Sequence, residues 1–160
     1  MARKVKIKKT LVEQILTKAG IEHTGIQINA LEGELPSEYD RTHIFKTLAL
    51  LGDKTGPIIG IIPITEHLAE KKLAKVSGNK KVSMIPQKDL EKTTGYIHGA
   101  NNPVGIRQKH NYPIFIDQTA LNLDEMIVSA GEVGHSIIIR PRDLASFVKA
   151  DFADILEESK

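Results

Sequence analysis

The chain has 160 residues, a formal net charge of +2, and 41% hydrophobic and 26% charged residues, an ordinary globular composition with enough chain to bury a core. No apolar run approaches the roughly 20 residues of a bilayer-spanning helix, and the basic start, Met1 to Lys9, lacks the apolar stretch of a secretory signal. With no cysteine at all, a disulfide framework, a cysteine-bearing zinc site and a cysteine nucleophile are excluded together, which fits a cytoplasmic protein.

Charge is unevenly placed. Residues 1–9 form a basic tail with five bases and no acid, residues 151–160 carry four acids and one base, and the remainder is balanced at sixteen of each. Inside the balanced part, seven lysines fall between residues 71 and 92 against only Asp89 and Glu91. Such a stripe suits phosphate contacts, and a solvated helix face has the same composition.

In chain order, Thr10-Leu-Val-Glu13 has capping-box spacing. Leu11, Val12, Ile15, Leu16 and Ala19 continue it as an amphipathic helix that stops at Gly20. Ile26 and Ile28 alternate with polar neighbours as a strand does. Leu31 to Thr42 is acidic, contains Pro36, and reads as a loop with one helical turn. His43 to Leu51, the turn Gly52–Gly56, and Pro57 to Ile64 read as a hairpin. Thr65 is placed to cap a helix running to about Lys75, with Leu68, Ala69 and Leu73 inward. Ser77-Gly-Asn79 breaks that helix, Lys81 to Ile85 is a short strand, and Pro86 at a first helical position opens a short helix ending before Gly95. Tyr96 to Gly105 reads as a loop. Ile114 to Asp117, Met126 to Ala130 and Ser136 to Arg140 are apolar strands, and Pro141 with Asp143 starts a last helix through Lys149. Strands interspersed with helices, without repeat or long linker, indicate one α/β domain of the α+β type over residues 1–160 with a mixed sheet.

Three segments carry chemistry. In His43–Leu51, Lys46 shares a face with Ile44, Leu48 and Leu50, where an aliphatic side chain is expected. Lysines are rarely buried without a partner. Lys46 therefore either snorkels or pairs at the sheet edge, or stands on a pocket floor awaiting an anionic or carbonyl ligand. The segment Gly95-Tyr-Ile-His-Gly-Ala-Asn-Asn-Pro-Val-Gly105 allows left-handed backbone and close approach of N–H groups to a ligand, enough for an oxyanion hole. It lacks the dinucleotide-binding and Walker spacings. Ser129-Ala-Gly-Glu-Val-Gly134 is a strand end running into a tight turn, and Ile127 stands where a nucleophile elbow requires glycine. The six histidines include no His-x-x-x-His pair and no carboxylate cluster of ligand spacing, so no metal and no cofactor are expected. His98, inside the glycine loop, is the histidine placed nearest to chemistry.

Taken together, these segments resemble the YbaK/EbsC family of aminoacyl-tRNA deacylases, relatives of the editing domain of bacterial prolyl-tRNA synthetases. Phe45-Lys46-Thr47-Leu48 is similar to the family's Phe/Tyr-Lys-Thr-Leu strand. Thr94-Gly-Tyr-Ile-His-Gly-Ala-Asn-Asn-Pro-Val-Gly105 is similar to its Thr-Gly-Tyr-x-x-Gly-x-x-x-Pro-x-Gly signature, and Ser129 to Gly134 to its Ser-Gly/Ala-Gly-x-x-Gly turn. Leu73-Ala-Lys75, Lys80-Lys-Val82 and Phe152-Ala-Asp-Ile155 agree as well, so the likeness spans about residues 43 to 155.

The resemblance implies a mixed, β-barrel-like sheet flanked by helices and hydrolysis of misacylated tRNA in trans, with Cys-tRNA(Pro), and also Cys-tRNA(Cys), as substrate. It implies that Lys46 holds the ester or terminal ribose and that the Gly99 N–H supports the oxyanion. Tyr96, Ser129 and Gly131 would serve the aminoacyl pocket, and the substrate's own thiol would attack its ester. That last point agrees with the absence of cysteine, an evident triad and metal ligands. Lys71, Lys72, Lys75, Lys80 and Lys81 are the candidate tRNA phosphate contacts, and prolyl-tRNA synthetase is the implied partner. The chain departs from the family at Ile28-Asn-Ala30, where many members carry Tyr-x-His, and at Val133 and Ser136, where many carry Arg and Asp. Both changes bear on amino-acid choice, so a deacylase for Ala-tRNA(Pro) or another mischarged tRNA is the second reading. A non-catalytic tRNA- or synthetase-binding module is the third, and retention of Lys46 with the glycine loop argues against it.

Overall fold

The computed structural model describes residues 9–27 and 39–158. Helix α1 (Leu11–Lys18) opens with the expected capping box. The Glu13 N–H donates to Thr10 Oγ1 at 3.2 Å and the Thr10 N–H donates to Glu13 Oε2 at 2.8 Å. Its inward face is Val12 and Leu16, whereas Leu11 is exposed. Strand β1 (His23–Ile26) follows. Ile28 and most of the expected acidic loop lie outside the described residues, and a 3-10 turn at Arg41–His43 ends that stretch.

The expected hairpin forms as β2 (Phe45–Gly52) and β3 (Gly56–Pro63), antiparallel and in register from Phe45↔Pro63 to Gly52↔Gly56. β3 is apolar along its length because it is covered on both faces, as an interior strand must be. Ile59 and Ile61 enter one core cluster, and Ile58 and Ile62 enter the other. Next come α2 (Glu70–Ser77), β4 (Val82–Met84), α3 (Gln87–Thr94), α4 (Pro103–Lys109) and β5 (Ile114–Asp117). After a 3-10 turn at Gln118–Asn122, β6 (Met126–Glu132), β7 (His135–Ile139), α5 (Pro141–Val148) and β8 (Asp151–Ala153) complete the described chain.

The strands form two sheets. One has the order β4-β2-β3-β5-β8 and is mixed, antiparallel at β4-β2-β3 and parallel at β3-β5-β8. The other, β1-β7-β6, is antiparallel. A parallel bridge, Ile44↔Ile127, links them, and they do not close into a barrel. The larger core cluster lies between the sheets and helices α1, α4 and α5, where Leu16, Val104, Ile106, Leu144 and Val148 are fully buried.

Four local expectations change. No helix begins at Thr65. The Glu66 N–H instead donates to Pro63 O in a turn, Leu68 bridges Leu156, and the Ala69 N–H donates to Ile155 O. Residues 67–69 thus pair with the distant C-terminal segment, and α2 starts only after them, with no side-chain cap at Ala69. Tertiary pairing overrides the local capping signal here. Pro86 stands at the N-cap of α3 rather than at its first position. The loop after Tyr96 is shorter than its composition suggests, because Asn102 accepts from the Gly105 N–H at 2.6 Å and Pro103 takes the first turn of α4. That is ordinary helix-start chemistry inside a glycine-rich segment. Lastly, β8 is a short parallel edge strand that no pattern in Asp151–Ala153 announces.

Asn79 ties the β2–β3 turn to the end of α2. Its Oδ1 accepts from the Lys54 and Thr55 N–H groups at 2.8 and 3.0 Å, and its Nδ2 donates to Thr55 Oγ1 and Ser77 Oγ at 3.1 and 2.8 Å. Gly52 is required beside it, since a Cβ there would lie 2.5 Å from Asn79 Nδ2. Asn79→Ala should lower stability by roughly 2–3 kcal/mol, because it strands several of these groups at once. A urea unfolding midpoint unchanged from the parent would show that the turn is held otherwise.

Candidate functional site

The site grows from an incompletely paired strand. β2 pairs with β3 over its full length but with β4 only at Leu50, Leu51 and Gly52. Along Phe45–Ala49 its far edge meets no strand of its own sheet, and backbone polar groups there need other partners. Two carbonyls find them. Asn101 Nδ2 donates to Thr47 O at 3.0 Å, and the Ile85 N–H donates to Ala49 O at 3.1 Å. These bonds bring the loop before α4 and the chain after β4 to the strand edge, leaving a cleft of about 250 Å³ between them.

The cleft wall is largely apolar, with Phe45, Ala49, Ile85 and Leu90, and its polar members are Lys46, Thr47, Gln87, Asn101 and Ser129 with His98 and Gly99. No aspartate or glutamate lines it. Lys46 is partly buried and has neither a hydrogen bond nor an ion pair among the described residues. Among the described residues Lys46 is therefore not paired with a carboxylate, and it lines the cleft. On its cleft side Lys46 meets no carboxylate, and an anion or polarised carbonyl there gains from the cation.

Gly99 sits in a turn closed by the Ala100 N–H donating to Ile97 O at 3.0 Å, with φ +89°. A positive φ at this turn position favours glycine. The Gly99 N–H makes no hydrogen bond among the described residues, so it stands available at the cleft. Ser129 Oγ donates to Gly99 O at 3.4 Å and accepts from the Gly131 N–H at 3.2 Å. It is held there by a bulge in β6 between Ser129 and Glu132, which re-aims the strand end.

Tyr96 and Gly131 lie behind the cleft and do not line it. The Tyr96 ring packs on Gly105, where a Cβ would come within 2.4 Å of Cζ, and is covered by Lys109 Nζ at 4.5 Å from its centroid. Gly131, at φ +92°, would place a Cβ 3.0 Å from Val12 and 3.5 Å from Tyr96. Both residues therefore brace the turn that carries Ser129. Ile28–Ala30 lie outside the described residues, and Val133 is exposed while Ser136 is buried.

Two oxygens beside the cleft are buried and unpartnered, Thr47 Oγ1 and Asn101 Oδ1. The Asn101 amide nitrogen is committed to Thr47 O, so its carbonyl end is the one left over. Each such group costs about 1–3 kcal/mol when left unmet, so a partner, a ligand atom or an ordered water, is expected at this wall. Neither side chain stood out in the sequence as a site residue. Thr47 follows Lys46 in the strand and Asn101 lies in the glycine loop, yet only the strand edge shows that they meet.

Of the candidate tRNA contacts, Lys71, Lys75, Lys80 and Lys81 are exposed. Lys72 is engaged, with Nζ 3.1 Å from Asp154 Oδ2 and 2.9 Å from Glu158 Oε1. Hydrogen bonds to Glu158 and Asp154 hold its pKa above the ordinary lysine value. An open groove of about 710 Å³ adjoins the cleft, sharing Lys46, Leu48 and Met84 with it. Among the described residues no group of three potential metal ligands occurs, and no helix is long and apolar enough to cross a membrane.

The aminoacyl-tRNA editing domain model matches residues 34–147. A protein of Enterococcus faecalis assigned as the Cys-tRNA(Pro)/Cys-tRNA(Cys) deacylase EbsC is 44% identical over 116 residues, 72% of this chain and 70% of that one. Among solved structures, one described as a trans-editing enzyme for prolyl-tRNA synthetase aligns with a TM-score of 0.76 at 21% identity, over 92% of this chain and 95% of that one. A hypothetical protein aligns with a TM-score of 0.79 at 21% identity, over 91% and 99%. These structures show the shared fold. The family model, which spans the strand, loop and turn that build the cleft, and the 44% identical relative together show that this chain belongs to the aminoacyl-tRNA editing domain family.

Proposed function

We propose that the protein is a trans-editing deacylase that removes cysteine from Cys-tRNA(Pro), and from Cys-tRNA(Cys), in the cytoplasm beside prolyl-tRNA synthetase. The observation that carries this reading is the unpartnered Lys46 next to the unengaged Gly99 N–H in a cleft without carboxylates. A small aminoacyl group suits a volume of about 250 Å³. Lys46 holds the ester or the terminal ribose, and Gly99 donates to the ester oxygen as it becomes negative. Preorganised donors at such a position act without reorganisation during the reaction.

Among the cleft-lining residues there is no carboxylate, and the Ser129 hydroxyl lies 3.4 Å from Gly99 O with no hydrogen bond, among the described residues, to a histidine or carboxylate that would activate it. The cysteine thiol supplies the nucleophile. Its sulfur bonds to the ester carbonyl carbon, the bond to the ribose oxygen breaks, the ribose oxygen takes the proton, and a thiolactone leaves. Orientation of an intramolecular attack contributes up to ~7–11 kcal/mol, so the protein needs to position and stabilise rather than to react.

Lys46→Ala should reduce deacylation on the order of 10²-fold, the usual effect of removing one stabilising donor, with an unchanged melting temperature. Wild-type turnover in that variant would refute the role of Lys46. Release of cysteine but not alanine from matched tRNA(Pro) substrates, dependent on Lys46, supports the editing role and favours thiol attack, and equal release of both assigns the attack to water. tRNA binding should weaken with salt at a log–log slope of about −3, as expected for about four phosphate contacts from Lys71, Lys75, Lys80 and Lys81. A flat dependence would remove those lysines from the interface.

A further inference from the structure

We infer that the groove on the far side of Lys46 receives the terminal ribonucleoside of the aminoacyl-tRNA, as a neutral base and ribose rather than as a phosphate track. The inference rests on the deacylase reading and extends it by assigning a place to the half of the substrate that the cleft cannot hold.

The first observation is adjacency. The cleft and the more open groove share Lys46, Leu48 and Met84. An aminoacyl ester has a small acyl part joined through one bond to a ribose. With the acyl part in the cleft and the ester at Lys46, the ribose and base must emerge on the other side of Lys46. At about 710 Å³ the groove has nearly three times the room of the cleft, as the larger half of the substrate requires.

The second observation is charge. Besides Lys46, the groove carries Lys71, Lys72 and His67 against Glu70, Glu157 and Glu158. A phosphodiester track is lined by one sign of charge, because each phosphate needs a cation and is repelled by a carboxylate. Here Lys72 is already held by Asp154 and Glu158. What such a mixed surface accepts is an uncharged group rich in hydrogen-bond donors and acceptors. Ribose hydroxyls and an exocyclic amine can donate to Glu157, and a ring nitrogen can accept from His67. Leu48, Leu68 and Met84 provide the apolar side on which a base lies, the thioether being suited to an aromatic face. Lys71, at the rim and exposed, is left for the phosphate that follows the nucleoside.

The third observation is that this wall is fixed in place. The Glu157 N–H donates to His67 O at 2.9 Å and the Ala69 N–H donates to Ile155 O at 2.8 Å. The Ile155 N–H in turn donates to the buried Asp117 at 3.0 Å. The acidic C-terminal segment is thus anchored to the fold by backbone bonds, and its carboxylates belong to a formed surface.

The test compares three esters of cysteine, on tRNA, on adenosine and as the methyl ester, with the wild type and His67→Ala/Glu157→Gln. Both substituted side chains are exposed and line the groove but not the cleft. Loss of two ordinary hydrogen bonds predicts about a tenfold fall in the preference for the adenosine ester over the methyl ester, read as kcat/KM. Equal turnover of these two esters by the wild type, or the same preference in wild type and variant, overturns the groove while leaving the deacylase reading in place. Failure of the wild type to cleave any of the three overturns the deacylase reading instead. Adenosine alone decides the groove without turnover. Amide shifts at Leu68 and Glu157 on its addition support the assignment, and no shift at millimolar adenosine overturns it.

Discussion

Most of what this protein can do depends on a strand left half paired. β2 is bonded along one edge to β3, while on the other edge β4 reaches only its last three residues. On the remaining edge two carbonyls are satisfied, Thr47 O by the Asn101 side-chain amide and Ala49 O by the Ile85 N–H. A fully paired β2 would bury its backbone and leave no room for a ligand. Two spaced partners satisfy the carbonyls and still leave a cleft between them. The same edge presents Lys46 and Thr47 from the strand itself and draws in Gly99 and Ser129 from opposite directions.

Around that edge the charges are separated by function. The cleft has a cation and no acid, while the groove beside it has acids as well as bases, and Lys46 belongs to both. An unpaired cation beside an acid-free wall is open to an electron-rich group. The lysine-rich stretch, by contrast, is divided. Lys72 is drawn into the acidic C-terminal segment, and its neighbours remain in solvent. Net charge predicts none of this, because the chain is almost neutral outside its ends.

The parts of the fold legible in sequence were those decided by neighbours in the chain. The capping box at Thr10 and Glu13, the Gly52–Gly56 turn, the Gly78 and Gly95 helix stops and the all-apolar run of β3 are local physics, and they appear as expected. The parts misread were decided by distant partners. Thr65 looked like a helix cap, but residues 67–69 are extended because Ile155–Glu157 pair with them. Asn102-Pro103 was hidden by the glycines around it, although an Asn cap before a proline is itself a helix signal.

The class of domain and most element positions are legible in the sequence alone, and the family is legible through the resemblance of three short segments to its motifs. A lysine in an apolar strand, an Asn/Gly loop and a serine before a glycine turn are visible in one dimension because each violates its local pattern. Only the tertiary structure decided that these meet, that Tyr96 and Gly131 brace the site from behind, and that Thr47 and Asn101 share its wall. It alone divided the lysines into free and engaged. The physical reason is that edge exposure, charge pairing and unmet hydrogen bonds belong to surfaces formed by segments 30 or more residues apart, and no local pattern encodes which edge of a strand is left open.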